Sequence, residues 1–519
     1  MLKLLPATSF LLFIFQFAFA QETLNMEMMQ KIKDEEKNNS QITMLAHNIT
    51  DVCGPRLTNS PGYSRALNWV TKISTDWGLQ NAGREAWGDF GKGWSNEVGT
   101  LALKIPYYEN IIAYPVPWCK STMKAVRTQL VMLDDMDSAL IDKAGLSLKG
   151  KIVMIKPGSN SIPDAFQASA TRYGDSSLDN LPDEYMIYRK ELEGYLPAAK
   201  KAYYTKLYLE KKGVVGLIRS SKDSKDGTVF VDGGSGYAKG YQSTLPEMKI
   251  SREDYLKLMR LLQDNKKVEL EMNVQNTFYT KDLTGYNFVA ELPGTDPALK
   301  SQVVMLGGHL DSWAGGTGAT DNGAGCVVML EAIRILKTLN IQPKRTIRIA
   351  LWGGEEQGLY GSFGYVKKHF GNPLDMVLKP EQKSISAYYN LDNGSGKIRG
   401  IYTQQNEAVR ELFRSWLVPF ADMGANGGVS ISNTGSTDHI SFDAVGIPGF
   451  QFIQDPLEYE TRTHHSNMDT YDHLSIDDLK QAAVIVAAFV YNTAMRNDML
   501  PRKPLPKPEK FVFDFDFPF

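Results

Sequence analysis

Residues 307–325 read GGHLDSWAGGTGATDNGAG and residues 345–358 read RTIRIALWGGEEQG, and these two stretches decide the predicted fold. Each is built on a run of β-branched and apolar residues, Val303–Leu306 and Thr346–Trp352, that leads into residues able to bind a metal. In an open α/β sheet, ligand-binding groups collect just beyond the carboxyl ends of the strands. Two strands followed by His, Asp and Glu therefore make a hydrolytic metal site the leading hypothesis.

Strand patterns alternate with helix patterns around these two stretches. The predicted strands are Thr284–Leu292, Val303–Leu306, Thr346–Trp352, Ala387–Leu391 and Gly449–Ile453. The predicted helices are Ala324–Leu339, Leu359–His369, Glu407–Leu417 and Ser475–Met495. Alternation at this spacing predicts an α/β fold with three layers and a mainly parallel sheet.

The pattern of apolar and polar residues changes near Pro115. Short apolar runs such as Val126–Leu133 and Gly213–Arg219 are bounded by turn signals, and none carries a metal-type constellation. We therefore predict a mostly β insert at residues 117–276. The catalytic domain is then discontinuous, with residues 21–116 and 277–500, and a tail at 501–519 follows. The tail ends in FVFDFDFPF, which is typical of an edge strand or of an aromatic strap.

The chain has 519 residues and a formal net charge of -2, without a basic block, so we expect no nucleic-acid partner. Residues 1–20 are predicted to be a signal peptide, because Lys3 precedes the apolar run Phe10–Phe19 and residues 18–20 form a small–x–small cleavage pattern. The alternative is a membrane anchor, but the run is shorter than the roughly 20 residues that a span needs. A secreted or periplasmic location without membrane attachment is expected.

The cysteine content gives little support for a disulfide framework. Only Cys53, Cys119 and Cys326 are present, and an odd number leaves at least one thiol free. Cys326 lies in an apolar helical run and is expected to be buried and inert. Whether Cys53 and Cys119 form a disulfide is not decided by the sequence.

Each candidate ligand also has a purely structural interpretation. Asp321 at a helix start is typical of an N-cap, the adjacent Glu355 and Glu356 could be a solvated pair, Asp392 could belong to a turn, and His465 could be a solvated loop residue. Their position after successive strands favours the metal hypothesis, because carboxylates side by side at the end of a buried strand need a cation or a shared proton.

Together these residues could carry out metal-assisted hydrolysis. Two zinc ions can activate a water molecule and polarise a carbonyl. Asp321 is central enough to bridge them, and each ion would take one His and one further carboxylate. The adjacent Glu can take the proton of the water and pass it to the leaving amine. Asp311, two residues after His309, suits a carboxylate that orients the imidazole.

Five motifs carry a resemblance to a known family. In order and spacing, HLDS, ATDNGAG, WGGEEQGLYGS, NLDNGS and HHSNMDT resemble the metal motifs of the di-zinc M28 peptidases. The resemblance implies a zinc exopeptidase-like fold, an insert of the protease-associated type beside the cleft, and a homodimer.

The resemblance also implies a role for each motif residue. His309 and Asp392 would hold one zinc, Glu356 and His465 the other, and Asp321 would bridge. Glu355 would be the general base and acid, and Asp311 would support His309. Thr437 and Asp438 would line the substrate side.

The function implied is that of an exopeptidase acting on short peptides, most specifically unblocked dipeptides. An aminopeptidase uses the same site, and a single-zinc cyclase has the same fold but fewer ligands. A non-catalytic binding protein with the same fold would lack some of the metal-ligand positions, and none is missing here. A carboxylate near the cleft would recognise a free amino terminus, and an Arg or Lys would recognise a free carboxyl terminus. Arg399 and Arg462 lie near the motifs, but the sequence does not define where they lie relative to the cleft.

Overall fold

The computed structural model describes residues 24–158, 170–183, 188–425, 428–508 and 518. In these residues the strands, in chain order, are β1 (Gln80–Asp89), β2 (Gly93–Ile105), β3 (Glu109–Asn110), β4 (Ala113–Pro115), β5 (Val126–Leu133), β6 (Ile152–Ile155), β7 (Gly216–Arg219), β8 (Glu247–Ile250), β9 (Glu269–Tyr279), β10 (Thr284–Leu292), β11 (Val303–His309), β12 (Thr346–Trp352), β13 (Gly371–Asn372), β14 (Val377–Leu378), β15 (Ile385–Asn390), β16 (Ile398–Tyr402), β17 (Gly428–Ser430) and β18 (Gly449–Gln454). The α-helices are α1 (Met26–Asn39), α2 (Ile42–His47), α3 (Pro61–Asp76), α4 (Ser138–Ala144), α5 (Asp175–Asp179), α6 (Tyr188–Lys211), α7 (Arg252–Gln263), α8 (Ala324–Thr338), α9 (Tyr360–His369), α10 (Arg410–Leu417), α11 (His439–Asp443) and α12 (Ile476–Met495).

The main sheet has the strand order β1-β10-β12-β11-β15-β18-β16-β17. Its four central strands, β12, β11, β15 and β18, run parallel to one another. The pairs β1–β10, β10–β12 and β16–β18 are antiparallel. The predicted α/β class and the mainly parallel central sheet are confirmed. Because parallel strands end at the same edge, the residues that follow β11, β12 and β15 meet there.

Helices cover both faces of this sheet. On one face, α8 and α12 pack against alternate strand residues such as Leu306, Ile349 and Tyr389. On the other face, α9 and α11 pack against the intervening residues, such as Met305 and Tyr388. Successive side chains of a strand point to opposite faces, so strands buried on both sides read as continuous apolar runs. The result is the three-layer arrangement that the alternation predicts.

A second sheet is inserted between β1 and β10, in the order β3-β2-β9-β5-β6-β7-β8-β4. It starts at Gly93, ahead of the predicted boundary at residue 117, because β2 pairs with β9 over almost its whole length. It also carries the helices α4, α6 and α7, so this unit is mixed α/β where a mostly β insert was expected. The two ends of the inserted unit meet, since Asp89 and Thr284 are cross-strand partners.

The cysteines are all buried and free, so Cys53 and Cys119 form no bridge. The Cys326 thiol donates to the carbonyl oxygen of His309 at 3.0 Å, as expected of an inert buried thiol. The predicted signal peptide and the FVFDFDFPF segment, apart from Pro518, lie outside the described residues. No helix in the part of the chain that the structure describes combines the length and apolar character needed to cross a membrane.

Candidate metal centre

The carboxyl edge of the main sheet gathers the residues that the motifs predict. In the β11–β12 and β11–β15 ladders, His309 pairs with Trp352 and Gly307 pairs with Asn390. This register places the segments that follow β12 and β15 on the two sides of His309. The loop after β18 then brings His465 to the same place.

Asp321 is the common member of two groups of side chains. Its Oδ1 lies 3.3 Å from His309 Nε2, which is also 3.3 Å from Asp392 Oδ1. Its Oδ2 lies 3.2 Å from His465 Nε2, which is 3.0 Å from Glu356 Oε2. The structure therefore brings all five predicted ligand residues together, with one oxygen of Asp321 facing each group.

Asp321 does not act as an N-cap. The backbone at Asp321 is non-helical, with φ -126° and ψ 94°, and α8 follows Gly323 without a side-chain cap. Asp469 fixes this turn, because its carboxylate accepts hydrogen bonds from the backbone N–H of Thr320 at 2.5 Å and of Asp321 at 3.3 Å. Sequence reasoning missed Asp469, although it belongs to the same HHSNMDT motif as His465.

Asp311 supports the site in a different way from the one predicted. The backbone carbonyl of Asp311 accepts from His309 Nδ1 at 3.0 Å, whereas its carboxylate Oδ1 is 3.7 Å from that nitrogen. The carboxylate instead accepts from the backbone N–H groups of Glu355 at 3.2 Å and Glu356 at 3.4 Å. The hydroxyl of Thr58, another residue that sequence reasoning missed, lies 3.0 Å from Oδ2. Asp311 thus positions the turn that carries both glutamates.

A buried arginine fixes the loop between β11 and α8. Arg56 donates to the carbonyl oxygens of Leu310 at 2.7 Å, Thr317 at 2.6 Å and Gly318 at 2.7 Å. It also places a positive charge behind the acidic cluster. The sequence places Arg56 in a simple loop, and only the tertiary structure shows what it binds.

Glu355 is placed to exchange protons. It is buried, and its Oε2 lies 3.8 Å from His309 Nε2. Burial raises the pKa of Glu355 well above its usual range, and the negative charge of Asp392 adds to this while His309 opposes it. A carboxylate whose pKa lies above its usual range is a stronger proton acceptor than an ordinary one.

Thr437 and Asp438 lie behind these side chains. The hydroxyl of Thr437 accepts a hydrogen bond from Asn390 Nδ2 at 2.9 Å. Asp438 is fully buried, and burial raises its pKa to about 8. Both residues adjoin the site, and their role towards the substrate stays a prediction.

Negative charge exceeds positive charge in the cluster. Burial lowers the pKa values of His309 and His465, but the surrounding carboxylates, chiefly Asp392 and Glu356, hold both well above the usual range. Buried atoms at the centre also lack hydrogen-bond partners among the described residues. They are His309 Nε2, Asp321 Oδ2, Glu356 Oε1 and Asp392 Oδ1.

These unpartnered atoms are one imidazole nitrogen and three carboxylate oxygens, the ligand types that zinc takes in proteins. Two groups have ligand atoms within 4.8 Å of one another: His309 with Asp321 and Asp392, and Asp321 with His464 and His465. His464, which precedes His465 in the chain, therefore adjoins the second group. The residues therefore fit divalent-cation binding, with Asp321 common to both groups.

The inserted unit holds the loop that carries His465. The backbone N–H of Val231 donates to the carbonyl oxygen of His465 at 2.7 Å, and that of Asn467 donates to the carbonyl oxygen of Val229 at 3.0 Å. Earlier in the same loop, Leu457 forms an antiparallel bridge with Thr171. The position of this ligand loop thus depends on contacts from the inserted unit.

Comparisons with known proteins agree with this geometry. Residues 287–490 match the model of peptidase family M28. Carboxypeptidase Q of Homo sapiens is 31% identical over 267 residues, which cover 50% of this chain and 53% of that protein. The chain therefore spans about half the length of this relative.

Solved structures share the fold over almost the whole chain. A peptidase M28 precursor from Shewanella amazonensis has a TM-score of 0.66 at 23% identity, and the match covers 93% of this chain and 99% of that one. BSAP, a zinc aminopeptidase from Bacillus subtilis, has a TM-score of 0.55 at 21% identity, covering 88% and 95%. With the carboxypeptidase Q relative, the family match leads to one conclusion: residues 287–490, which contain the candidate metal centre, form a domain of peptidase family M28.

Proposed function

We propose that the chain is a secreted or periplasmic di-zinc exopeptidase that hydrolyses short peptides, most specifically unblocked dipeptides. The observation that carries this proposal is the position of Asp321, whose two carboxylate oxygens face two separate His–carboxylate pairs. A carboxylate so placed suits a bridge between two metal ions. The M28 domain at residues 287–490 and the similarity to carboxypeptidase Q support the same reaction class.

His309 and Asp392 would hold one zinc, Glu356 and His465 the other, and Asp321 both. When bound, zinc polarises the scissile carbonyl and makes water acidic enough to attack at neutral pH. Glu355 takes a proton from the attacking water and delivers it to the nitrogen of the leaving amine as the peptide bond breaks. Asp311 keeps Glu355 in place by accepting the hydrogen bond from its backbone N–H.

Export and assembly are part of the proposal. The apolar run Phe10–Phe19 after Lys3 supports a signal sequence. Short peptides are the proposed partners, with no nucleic acid and no membrane attachment. A homodimer is also proposed, and sedimentation of the mature protein would test it.

The test is hydrolysis of free dipeptides, N-blocked dipeptides and aminoacyl-anilides by the wild type and by Glu355→Gln, with zinc content measured on both. We expect free dipeptides to be cleaved, and kcat to fall by about 10²–10⁴-fold in Glu355→Gln while about two zinc ions per chain remain. Glu411→Gln, at an exposed glutamate on α10, serves as the control and should behave as the wild type.

Other outcomes of the hydrolysis panel would lead to different conclusions. Cleavage of anilides would make the protein an aminopeptidase on the same site. A zinc-loaded wild type that cleaves no member of the panel would contradict the peptidase proposal and favour a binding protein on this scaffold.

A further inference from the structure

The backbone at His465 is strained, although its side chain lies in the ligand cluster. His465 has a φ of 56°, in the left-handed region that residues other than glycine rarely adopt. Its Nε2 lies 3.0 Å from Glu356 Oε2 and 3.2 Å from Asp321 Oδ2. A conformation of this kind persists only where the surrounding contacts determine it. The contacts that hold the backbone of His465 therefore also hold its imidazole in place.

Such contacts come from residues 227–231 of the inserted unit, which we call the docking segment. The backbone N–H of Val231 donates to the carbonyl oxygen of His465 at 2.7 Å. Phe230 forms an antiparallel bridge with Ser466, the next residue of the same loop. Backbone hydrogen bonds of this kind weaken steeply when either chain is displaced. The docking segment thus holds the backbone of a candidate metal ligand in a short two-stranded ladder.

Asn467 holds the other end of this ladder with both its backbone and its side chain. Its backbone N–H donates to the carbonyl oxygen of Val229 at 3.0 Å. Its side-chain Oδ1 accepts from the backbone N–H of Val229 at 2.7 Å, and its Nδ2 donates to the carbonyl oxygen of Gly227 at 3.3 Å. Val229 is buried, so loss of the Asn467 side chain would remove the acceptor of a buried N–H group, which is costly. Asn467 therefore favours the docked arrangement.

The loop after β11 packs against the same place from a third side. A Cβ atom on Gly315 would lie 3.0 Å from Val231 Cβ. A Cβ atom on Gly316 would lie 2.5 Å from the carbonyl oxygen of Asp469. Glycine at these two positions permits the close approach. The docking segment, the loop of His465 and the loop after β11 are thus in close contact, so displacement of the docking segment would also displace His465.

We propose that Asn467 is a positioning residue for the ion proposed between Glu356 and His465, and that binding of this ion and docking of the inserted unit stabilise each other. Asn467 acts through the backbone of His465 and is not itself a ligand. A contact that favours docking favours metal binding, and by linkage the ion favours docking to the same extent. The other proposed ion, between His309 and Asp392, depends on residues at the ends of main-sheet strands. The inference rests on the proposed di-zinc site.

Dialysis against zinc buffers, followed by metal analysis, gives the affinity of each ion in the wild type and in Asn467→Ala. We expect the ion between His309 and Asp392 to be retained and the other to bind about 10–100-fold more weakly, because a group that orients a ligand is lost. Asn467→Asp keeps an acceptor for the N–H of Val229 and should restore most of the affinity. Asn68→Ala, at an exposed asparagine of α3 that also makes a side-chain hydrogen bond, is the control and should bind both ions as the wild type does.

Limited proteolysis tests the coupling without any measurement of catalysis. The carbonyl oxygen of Lys225 accepts from the backbone N–H of Thr228 at 2.8 Å, so trypsin cleavage after Lys225 requires the docking segment to open locally. Cleavage then follows the population of the open form. We expect zinc-free wild type to be cleaved at least about 5-fold faster than zinc-loaded wild type, and Asn467→Ala to gain little protection from zinc. Asn467→Asp and Asn68→Ala should be protected as the wild type is.

Equal loss of both ions in Asn467→Ala, or no loss of either, would overturn the inference. Equal cleavage of zinc-free and zinc-loaded wild type would overturn it as well, and this comparison does not depend on the folding of any variant. In either case the hydrolysis panel still decides the proposed function. A wild type that binds no zinc would overturn both the inference and the proposed di-zinc function.

Discussion

The backbone N–H of Glu355 donates a hydrogen bond to Asp311 Oδ1 at 3.2 Å. The proposed general base is therefore positioned through its main chain by a residue that follows a different strand. Asp311→Asn replaces one accepting oxygen by a donating amide, which would face an N–H group or the Thr58 hydroxyl. We expect kcat to fall by about 10–100-fold through a displaced Glu355, with zinc content retained. Steady-state kinetics with metal analysis checks this, and normal kcat would show that the hydrogen bond does not position Glu355.

Asp321 and Asp392 should differ in their effect on metal content. Asp321 faces both His–carboxylate pairs, so Asp321→Ala should lower the zinc content from about two ions per chain to less than one. Asp392 lies beside His309 and faces only the first His–carboxylate pair of the proposed ligand sets, so Asp392→Ala should keep the ion held by Glu356 and His465. Metal analysis after dialysis measures both variants, and equal losses would contradict the shared role of Asp321.

Glu36 in α1 predicts a pH-dependent stability. It is buried against Glu331 of α8, and burial followed by the charge of Glu331 raises the pKa of Glu36 to about 9. Folding therefore favours the protonated form, and stability is lost as the pH rises from the unfolded pKa of about 4.5 towards 9. Glu36→Gln should stabilise the protein by about 2 kcal/mol at pH 8 and by little at pH 4.5.

Urea unfolding of the wild type and of Glu36→Gln at these two pH values measures the difference. Glu407→Gln, at an exposed position of the same domain, is the control and should show no such trend. A stability gain that does not grow with pH would contradict the ionisation argument.

The cysteine thiols should be unreactive in the native protein. All three cysteines are buried and free, and burial raises the pKa values of Cys119 and Cys326 to about 12. A thiol reagent should label none of them in the folded state and all three after unfolding in denaturant. Reducing agents should leave the unfolding midpoint unchanged. Fewer than three thiols in the unfolded, unreduced protein would reveal a disulfide.

Three of the candidate ligands could be predicted because each follows a strand that the sequence marks clearly. His309, Glu356 and Asp392 each lie within four residues of the end of an apolar run, and strands buried on both faces produce such runs. Parallel pairing then brings their ends together without knowledge of any side-chain contact. The local pattern therefore contains enough information to bring these three candidate ligands together, whereas Asp321 and His465 are assigned through the resemblance to the M28 peptidases.

The supporting residues could not be predicted in this way. Arg56 binds carbonyl oxygens of a loop some 250 residues further along the chain, and Asp469 accepts from the backbone of a segment nearly 150 residues earlier. Backbone acceptors and donors have no sequence signature. The early start of the second sheet was missed for the same reason, since β2 is recognised as part of it only through its pairing with β9.

The meeting of Asp89 and Thr284 as cross-strand partners has a consequence for the history of this protein. A short turn between these two positions would close β1 and β10 into an ordinary hairpin, so the inserted unit can be gained, lost or exchanged without cutting the sheet that holds the metal ligands. Because the same unit also touches the backbone of His465, such an exchange would alter selectivity and metal affinity together. Evolutionary changes between β1 and β10 can therefore alter the properties of the site while the main sheet stays the same.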